Sequence, residues 1–516
     1  MQSGSSRPGA SADPDSPEPQ GRIESWSPEA TEQLDRSLLS GLVWIGGAKW
    51  LIQGLTWLST LVVARLLQQE DYGIIAMAGT YFGLVQLVGE FGLGAAVVQQ
   101  RDLSRSQVSR LAGLSMLFAA ACAALSLALA GPVAAFFDAP ELVLVIVVLS
   151  STFLLTGLQV IPRSLLAQDH RFRTLAKIET AENLLMAATT VTFAFLGFRY
   201  WALVIGALAG RLLTTVLLLV VRPHPMAWPT PLKEIRPAVS FGWHMVTGNL
   251  AWYAFRNADL AVVGRVLGKA ALGAYSIGFT LASIPVDRVV GLISRVSPAI
   301  LATVQSEPRL LRRYLLGLTE GIAVATMPMA IGMALVARDF VITAIGAKWE
   351  PAIAPLIVLS LAAVARSLVS IPSQVLVATG RPRANARGTM LIALLLSPLF
   401  LLATRWGIVG VALVWLAAYP IVAGLALVRP ALEAIECRAR EFAGSFAPAV
   451  NGSLAMAAAV GLVSVLLPDD HPMVSRLVIK IGAGALAYLG VLFGLYRSRI
   501  RTVVGLLRTS SARPHP

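Results

Sequence analysis

The chain has 516 residues, of which 56% are apolar and 14% charged, with a formal net charge of +14. Apolar runs of about 20 residues recur along almost its whole length, as bilayer-spanning helices require, which excludes a soluble globular protein. Its Lys and Arg fall mostly in the short connections between those runs. There they set orientation and favour anionic headgroups rather than nucleic acid, and Cys122 and Cys437 form neither a disulfide framework nor a metal motif.

Residues Met1 to Arg36 are rich in Pro, Ser, Asp and Glu and contain no apolar core of signal-peptide length; they read as a disordered cytoplasmic tail. From Gly41 onward the hydropathy predicts about 14 spans. Their centres lie near Gln53, Leu84, Ala123, Ser151, Met186, Leu212, Trp252, Ser283, Ala325, Val364, Leu394, Trp415, Ala457 and Ala485. Alternate connections are basic: Arg101, Arg105 and Arg110; Arg171, Arg173 and Lys177; Arg222, Lys233 and Arg236; Arg309, Arg312 and Arg313; Arg381, Arg383 and Arg387; Arg429, Arg438 and Arg440. The others carry few basic residues and include Asp138, Glu141, Asp469 and Asp470. This bias predicts that both termini are cytoplasmic.

The chain also repeats itself. Arg65, Leu67 and Gly73 recur in register as Arg265, Leu267 and Gly273, and Ile161-Pro162 through Arg171 and Arg173 recurs as Ile371-Pro372 through Arg381 and Arg383. Loop geometry is the expected reason for the repeated arginines and glycines. Two copies of about six helices each share one topology and should be related by an axis along the membrane normal, facing each other across a cleft. The expected organisation is a tail over 1–36, an N-terminal lobe over 37–238 and a C-terminal lobe over 239–428. Residues 429–516 add a helix on the inner membrane surface at Pro430 to Phe446, two further spans and a tail.

Charges inside the spans are the candidate functional residues, because each costs roughly 2.5 to 3.5 kcal/mol at mid-bilayer and so usually faces a cavity or a partner. One face of the first span carries Lys49, Gln53, Thr56 and Thr60, and the second carries Gly79, Gly83, Gln86 and Glu90. The seventh carries Asn249, Trp252, Arg256 and Asp259; the eighth carries Ser276, Thr280, Ser283, Asp287 and Ser294, with Arg288 alongside. These stripes are expected to meet across the cleft. Arg211 and Arg366 add two more cations at mid-depth. Two readings of Arg256 and Asp259 stay open: they line a cavity, or they neutralise one another at i,i+3. Glu179, Glu182 and Glu320 sit just inside cytoplasmic span ends, where interfacial solvation or helix N-terminal charge is enough to explain them structurally. Lys49, Arg211, Arg256, Arg288 and Arg366 outnumber Glu90, Asp259 and Asp287, so the cleft should prefer an anion, and arginine binds phosphate bidentately.

The motifs Arg65-Leu-Leu-Gln-Gln-Glu-Asp-Tyr-Gly73, Glu90-Phe-Gly-Leu-Gly94, Arg256-Asn-Ala-Asp259-Leu-Ala-Val-Val-Gly264 and Ala271-Leu-Gly-Ala-Tyr275 carry a resemblance. Together with the duplicated layout they resemble the polysaccharide transporter branch, the Wzx-type flippases, of the multidrug/oligosaccharidyl-lipid/polysaccharide exporter superfamily. The resemblance covers roughly Leu38 to Arg429. It implies an all-α inner-membrane transporter, not an enzyme. Such a transporter moves a polyprenyl-diphosphate-linked oligosaccharide to the periplasmic leaflet for exopolysaccharide, capsule or O-antigen assembly, by alternating access of two lobes. It further implies Arg256, Arg288 and Lys49 as substrate-binding cations, to which Arg211 and Arg366 are added on their depth alone, and Asp259, Glu90 and Asp287 as candidates for coupling to H+ or Na+, with no other cofactor. Membrane lipids and polysaccharide polymerase or export proteins are the implied partners. Two other readings remain: a drug or organic-cation antiporter of the same superfamily, and a non-transporting scaffold of a polysaccharide-synthesis complex. The absence of a phosphate-binding glycine loop with its lysine argues against direct use of ATP.

Overall fold

The computed structural model describes residues 56–90, 104–228, 256–305, 307–467 and 471–497, together with the isolated positions 54, 94, 97, 230 and 253. Among these residues there is helix and no strand. Every expected span centre that falls on a described residue, from Leu84 to Ala485, lies in a helix; those at Gln53 and Trp252 lie outside the described residues. Among the described residues nine helices are long and apolar enough to cross a bilayer, and a shorter apolar helix, Thr56–Leu66 (α1), precedes them.

After α1 come α2 (Gln69–Glu90), α3 (Arg105–Phe137), α4 (Glu141–Gln168), α5 (Phe172–Phe195) and α6 (Trp201–Val221). The second half holds α7 (Ala258–Thr303), α8 (Pro308–Ala344), α9 (Ile353–Ala378) and α10 (Pro382–Ala403), then the helical run α11 over residues 407–434. Local chemistry sets the boundaries. Ser104 and Gln107 form a reciprocal capping box that satisfies two orphan amides at the start of α3. Asp138 ends α3 in the left-handed region, and its backbone N–H donates to Ala134 and Ala135. In α11 the ladder widens into π turns at Val414–Ala418 and Gly424–Val428, the first just ahead of Pro420, whose ring removes a backbone donor.

The repeated motifs occupy equivalent breaks. Between α1 and α2 the chain leaves helix at Leu67 and Gln68; in the second copy Gly268, at φ +83°, interrupts α7. The glycines just beyond the breaks are explained by packing, not by loop conformation. Gly73 and Gly273 are both helical, and a Cβ on Gly73 would lie 1.9 Å from the carbonyl oxygen of Lys269, while one on Gly273 would lie 1.8 Å from that of Gln69. Residue 73 against 269 and residue 273 against 69 is the reciprocal contact that a local two-fold axis produces. Here α2 and α7 approach backbone to backbone, which only glycine permits.

Around this contact one end of the helix bundle is interlocked. Trp349, fully buried, donates its indole N–H to Ala64 at 2.8 Å and stacks edge-on against Tyr72. Lys348 donates to the Arg65 carbonyl at 2.9 Å, Lys269 pairs with Glu141 at 2.7 Å, and Arg199 pairs with Asp71 at 3.1 Å. Elements from both copies therefore meet at this end.

The C-terminal helices α13 (Ala447–Leu466) and α14 (Met473–Leu495) pack on α8. They are fastened there by a buried ion pair, Lys480 to Asp339 at 2.5 Å, with Arg476 3.5 Å from the same carboxylate. Tyr488 adds a hydrogen bond to the Val324 carbonyl. The stretch expected as one surface helix at Pro430 to Phe446 is instead broken. The end of α11 stops at Ala434, Glu436 takes a positive φ, and α12 (Ala439–Gly444) begins a new helix. Its apolar residues Leu432, Ile435 and Phe442 are buried in the protein's own core, because Arg312 of α8 pairs with Glu441 and donates to the Glu436 carbonyl, holding the segment against α8.

Candidate functional site

Four of the candidate charges converge in the second copy. Arg256 precedes the Gly268 break by 12 residues, counted from the sequence, which at a helical rise of about 1.5 Å per residue puts it about 18 Å from the interlocked end. Its guanidinium reaches Asp287 at 3.6 Å, and both side chains are about half exposed (48% and 52%). The i,i+3 pairing of Arg256 with Asp259 does not occur. Asp259 turns away from it: fully buried, its Oδ2 accepts from the Tyr275 hydroxyl and the Trp415 indole, each at 2.8 Å, and its Oδ1 accepts from the Leu260 amide.

Arg366, on α9, completes the group. It donates to Ser283 at 2.7 Å, and its guanidinium carbon lies 4.7 Å from the Phe279 ring centroid and 5.6 Å from that of Trp415. Asp287, Arg256 and Asp259 all lie within electrostatic reach of it, as does Tyr419. The polar stripe of the eighth span accordingly meets α9, within its own copy. Ser283 meets Arg366 and Ser294 meets Gln374, while Ser373 meets Asn385 of α10. One stripe does meet the other copy: the Tyr253 hydroxyl lies 3.1 Å from the Gly79 carbonyl and 3.3 Å from that of Thr80, and its ring occupies the notch left by Gly83.

Magnitudes separate this cluster from the structural ion pairs. A half-exposed pair at 3.6 Å is worth about 0 to 1 kcal/mol and is readily exchanged for another partner. Breaking a buried pair such as Lys480 and Asp339 costs about 3 to 5 kcal/mol. The Arg256–Asp287 contact is thus weak and half exposed, whereas Lys480 is enclosed with its carboxylate. Arg288 is exposed next to Asp287 on α7, and in the cluster itself Arg256 and Arg366 stand with the half-exposed Asp287 and the enclosed Asp259, so two guanidinium groups lie beside one accessible carboxylate.

The remaining candidates lie apart from this cluster. Arg211 sits in the first copy on α6, 3.9 Å from Glu182 and 3.5 Å from Gln159, and Arg163 pairs with Glu179 beside it. Glu179 and Glu182, expected to be structural, are so through ion pairs with arginines rather than through solvation or helix N-terminal charge. Lys49 and the Glu90 side chain lie outside the described residues. Sequence reasoning missed Tyr275, Phe279 and Trp415, since aromatics inside apolar runs carry no distinguishing signal, and it missed Asp339 and Lys480 as partners.

A multi-pass, all-helical chain with a charged cluster inside its helices has the architecture of membrane transporters. Its fold is similar to the lipid II flippase MurJ in an inward closed conformation, with TM-score 0.72, 17% identity and coverage of 89% of this chain and 100% of that one. It is also similar to an inward-facing multidrug resistance MATE family transporter, with TM-score 0.59, 14% identity and coverage of 74% and 94%. A family model described as polysaccharide biosynthesis protein matches residues 62–354, and the chain belongs to that family. It is 27% identical to the teichuronic acid biosynthesis protein TuaB of Bacillus subtilis, over 80% of this chain and 86% of that protein. It is 24% identical to the lipopolysaccharide biosynthesis protein WzxC of Escherichia coli, over 67% and 71%. Against the succinoglycan biosynthesis transport protein ExoT of Rhizobium meliloti identity is 25%, over 57% and 60%. The protein is thus a multi-pass membrane protein of polysaccharide biosynthesis.

Proposed function

We propose that this chain is a flippase that carries a polyprenyl-diphosphate-linked oligosaccharide from the cytoplasmic to the periplasmic leaflet of the bacterial inner membrane. The observation that carries the reading is the exchangeable Arg256–Asp287 pair beside Arg366, an arginine-rich group within the helices of a polysaccharide-biosynthesis family member. A diphosphate displaces Asp287 from Arg256 and accepts from the guanidinium in bidentate fashion, at little cost because the pair it breaks is weak. Both termini are cytoplasmic, which places the interlocked end on the periplasmic side. Two lobes, 37–238 and 239–428, then part at that end while closing at the other, and the lipid tail stays in the bilayer. H+ or Na+ supplies the driving force, with Asp287 and Glu90 as the coupling carboxylates.

The test is to deplete the protein in its native cell and analyse the lipid fraction by mass spectrometry. Accumulation of a completed diphosphate-linked repeat with loss of exported polymer is the expected result. An unchanged lipid pool with normal polymer would overturn the reading.

A further inference from the structure

The buried carboxylate of Asp259 has no exposed surface, yet it is only one side chain away from the arginine cluster. Both of its oxygens are engaged by donors: Tyr275 and Trp415 on Oδ2, the Leu260 amide on Oδ1. A monovalent or divalent cation needs several oxygen ligands, and among the described groups bonded to this carboxylate only Tyr275 brings a side-chain oxygen. The arrangement is built to hold donors.

Trp415 is the donor that connects this carboxylate to the cluster. It lies on a π turn of α11, and its indole is nearly fully buried between Phe400 and Tyr419, with ring centroids 5.4 Å away on each side. Its N–H is fixed in the ring plane by Asp259, and its ring system is one of the two that carry the Arg366 guanidinium; Phe279, one helical turn beyond Tyr275, is the other. Donating the indole proton to an anion raises the electron density of the ring, which strengthens its hold on a cation. Asp259, Trp415 and Arg366 thus form an anion–indole–cation relay, and Ser283 fixes one guanidinium nitrogen. We infer that Asp259 and Trp415 are positioning residues that aim Arg366 at the ligand's anionic group, and that Asp259 is not an ion-coupling carboxylate. This inference rests on the reading of the Arg256–Arg366 cluster as the diphosphate site.

The experiment uses the full chain in lipid nanodiscs with undecaprenyl diphosphate as the probe, with polymer export in cells as a parallel readout. Arg366→Ala should weaken probe binding about tenfold or more, the scale of a lost charge-assisted contact. Asp259→Ala and Trp415→Phe should each weaken it several-fold alone and add nothing in the Arg366→Ala background. Asp259→Asn keeps a carbonyl oxygen for Tyr275 and Trp415 but removes the charge and turns its NH2 toward the Leu260 N–H, so it should weaken probe binding several-fold, no more than Asp259→Ala, and should still export. Because Asp259→Ala removes a buried acceptor and can fail to fold, Trp415→Phe carries the same cycle, with thermal melting to show that the variant is folded. Additive losses in the Arg366→Ala background would overturn the positioning role while leaving the diphosphate site standing. Loss of export in Asp259→Asn with probe affinity intact would restore ion coupling and overturn it too. Normal probe binding by Arg366→Ala would instead refute the site reading itself, and the inference with it.

Discussion

Replacing Gly73 by alanine tests the reciprocal contact between the two copies. The new Cβ would lie 1.9 Å from the Lys269 carbonyl oxygen and 2.6 Å from its carbonyl carbon, both backbone atoms that cannot swing aside. Restoring an ordinary separation of about 3.4 Å requires α2 and α7 to part by about 1.5 Å, and overpacking of this kind costs about 1 to 3 kcal/mol. Alanine's better helix propensity acts equally on both forms, since residue 73 is helical in each, so the full overpacking cost of about 1 to 3 kcal/mol falls against the interlocked state. On the proposed alternating access, that is roughly a five- to 150-fold shift in the ratio of closed to open forms, read by distance measurements between spin labels at positions flanking Arg199 and Lys348. Gly273→Ala should shift it equally, because its Cβ meets the Gln69 carbonyl oxygen at 1.8 Å. Gly79→Ala, with nothing within 4 Å of its Cβ, is the control and should leave the distances unchanged. Unaltered distances in both Gly73→Ala and Gly273→Ala would refute the claim that this contact holds the end together.

Other expectations follow from the ion pairs. Lys480→Met should lower the melting temperature in detergent, by less than the about 3 kcal/mol of a wholly unpaired carboxylate because Arg476 still reaches Asp339, and Arg476→Met added to it should deepen the loss. Glu141→Lys and Lys269→Glu should each loosen the interlocked end, and the double swap should restore it, as judged by labelling of a cysteine placed near Glu141. Arg256→Ala should abolish polymer export without loss of protein from the membrane, whereas Arg256→Lys should retain part of it because an ammonium cannot grip phosphate bidentately. Full export by Arg256→Lys would show that charge balance with Asp287 is its whole role.

Much of the candidate site was legible because a charge in a 20-residue apolar run stands out against its cost, and Arg256, Asp287 and Arg366 were all found that way. Their partners were not. Arg256 and Asp259 are one helical turn apart, which suggested a pair, but the partner that forms is Asp287, 31 positions on by the numbering and reached only after the chain reverses at Gly268. Trp415 was silent in sequence because an indole in an apolar span looks like packing, and its N–H bond to Asp259 arises only when α11 folds against α7. Lys480 escaped notice for a related reason: a single lysine in the final span could as well reach an interface, and only packing of α14 on α8 buries it beside Asp339.

The sequence by itself determined that the chain is helical and membrane-spanning, where the spans fall, and that its two parts repeat, since hydropathy and register are local properties of the chain. It marked which residues carry charge into the bilayer. Only the tertiary structure decided which of those charges are enclosed in fastening helices and which stay half exposed. That division depends on burial and partner geometry between segments far apart in the chain, and the same arginine is structural or functional according to whether a carboxylate is enclosed with it.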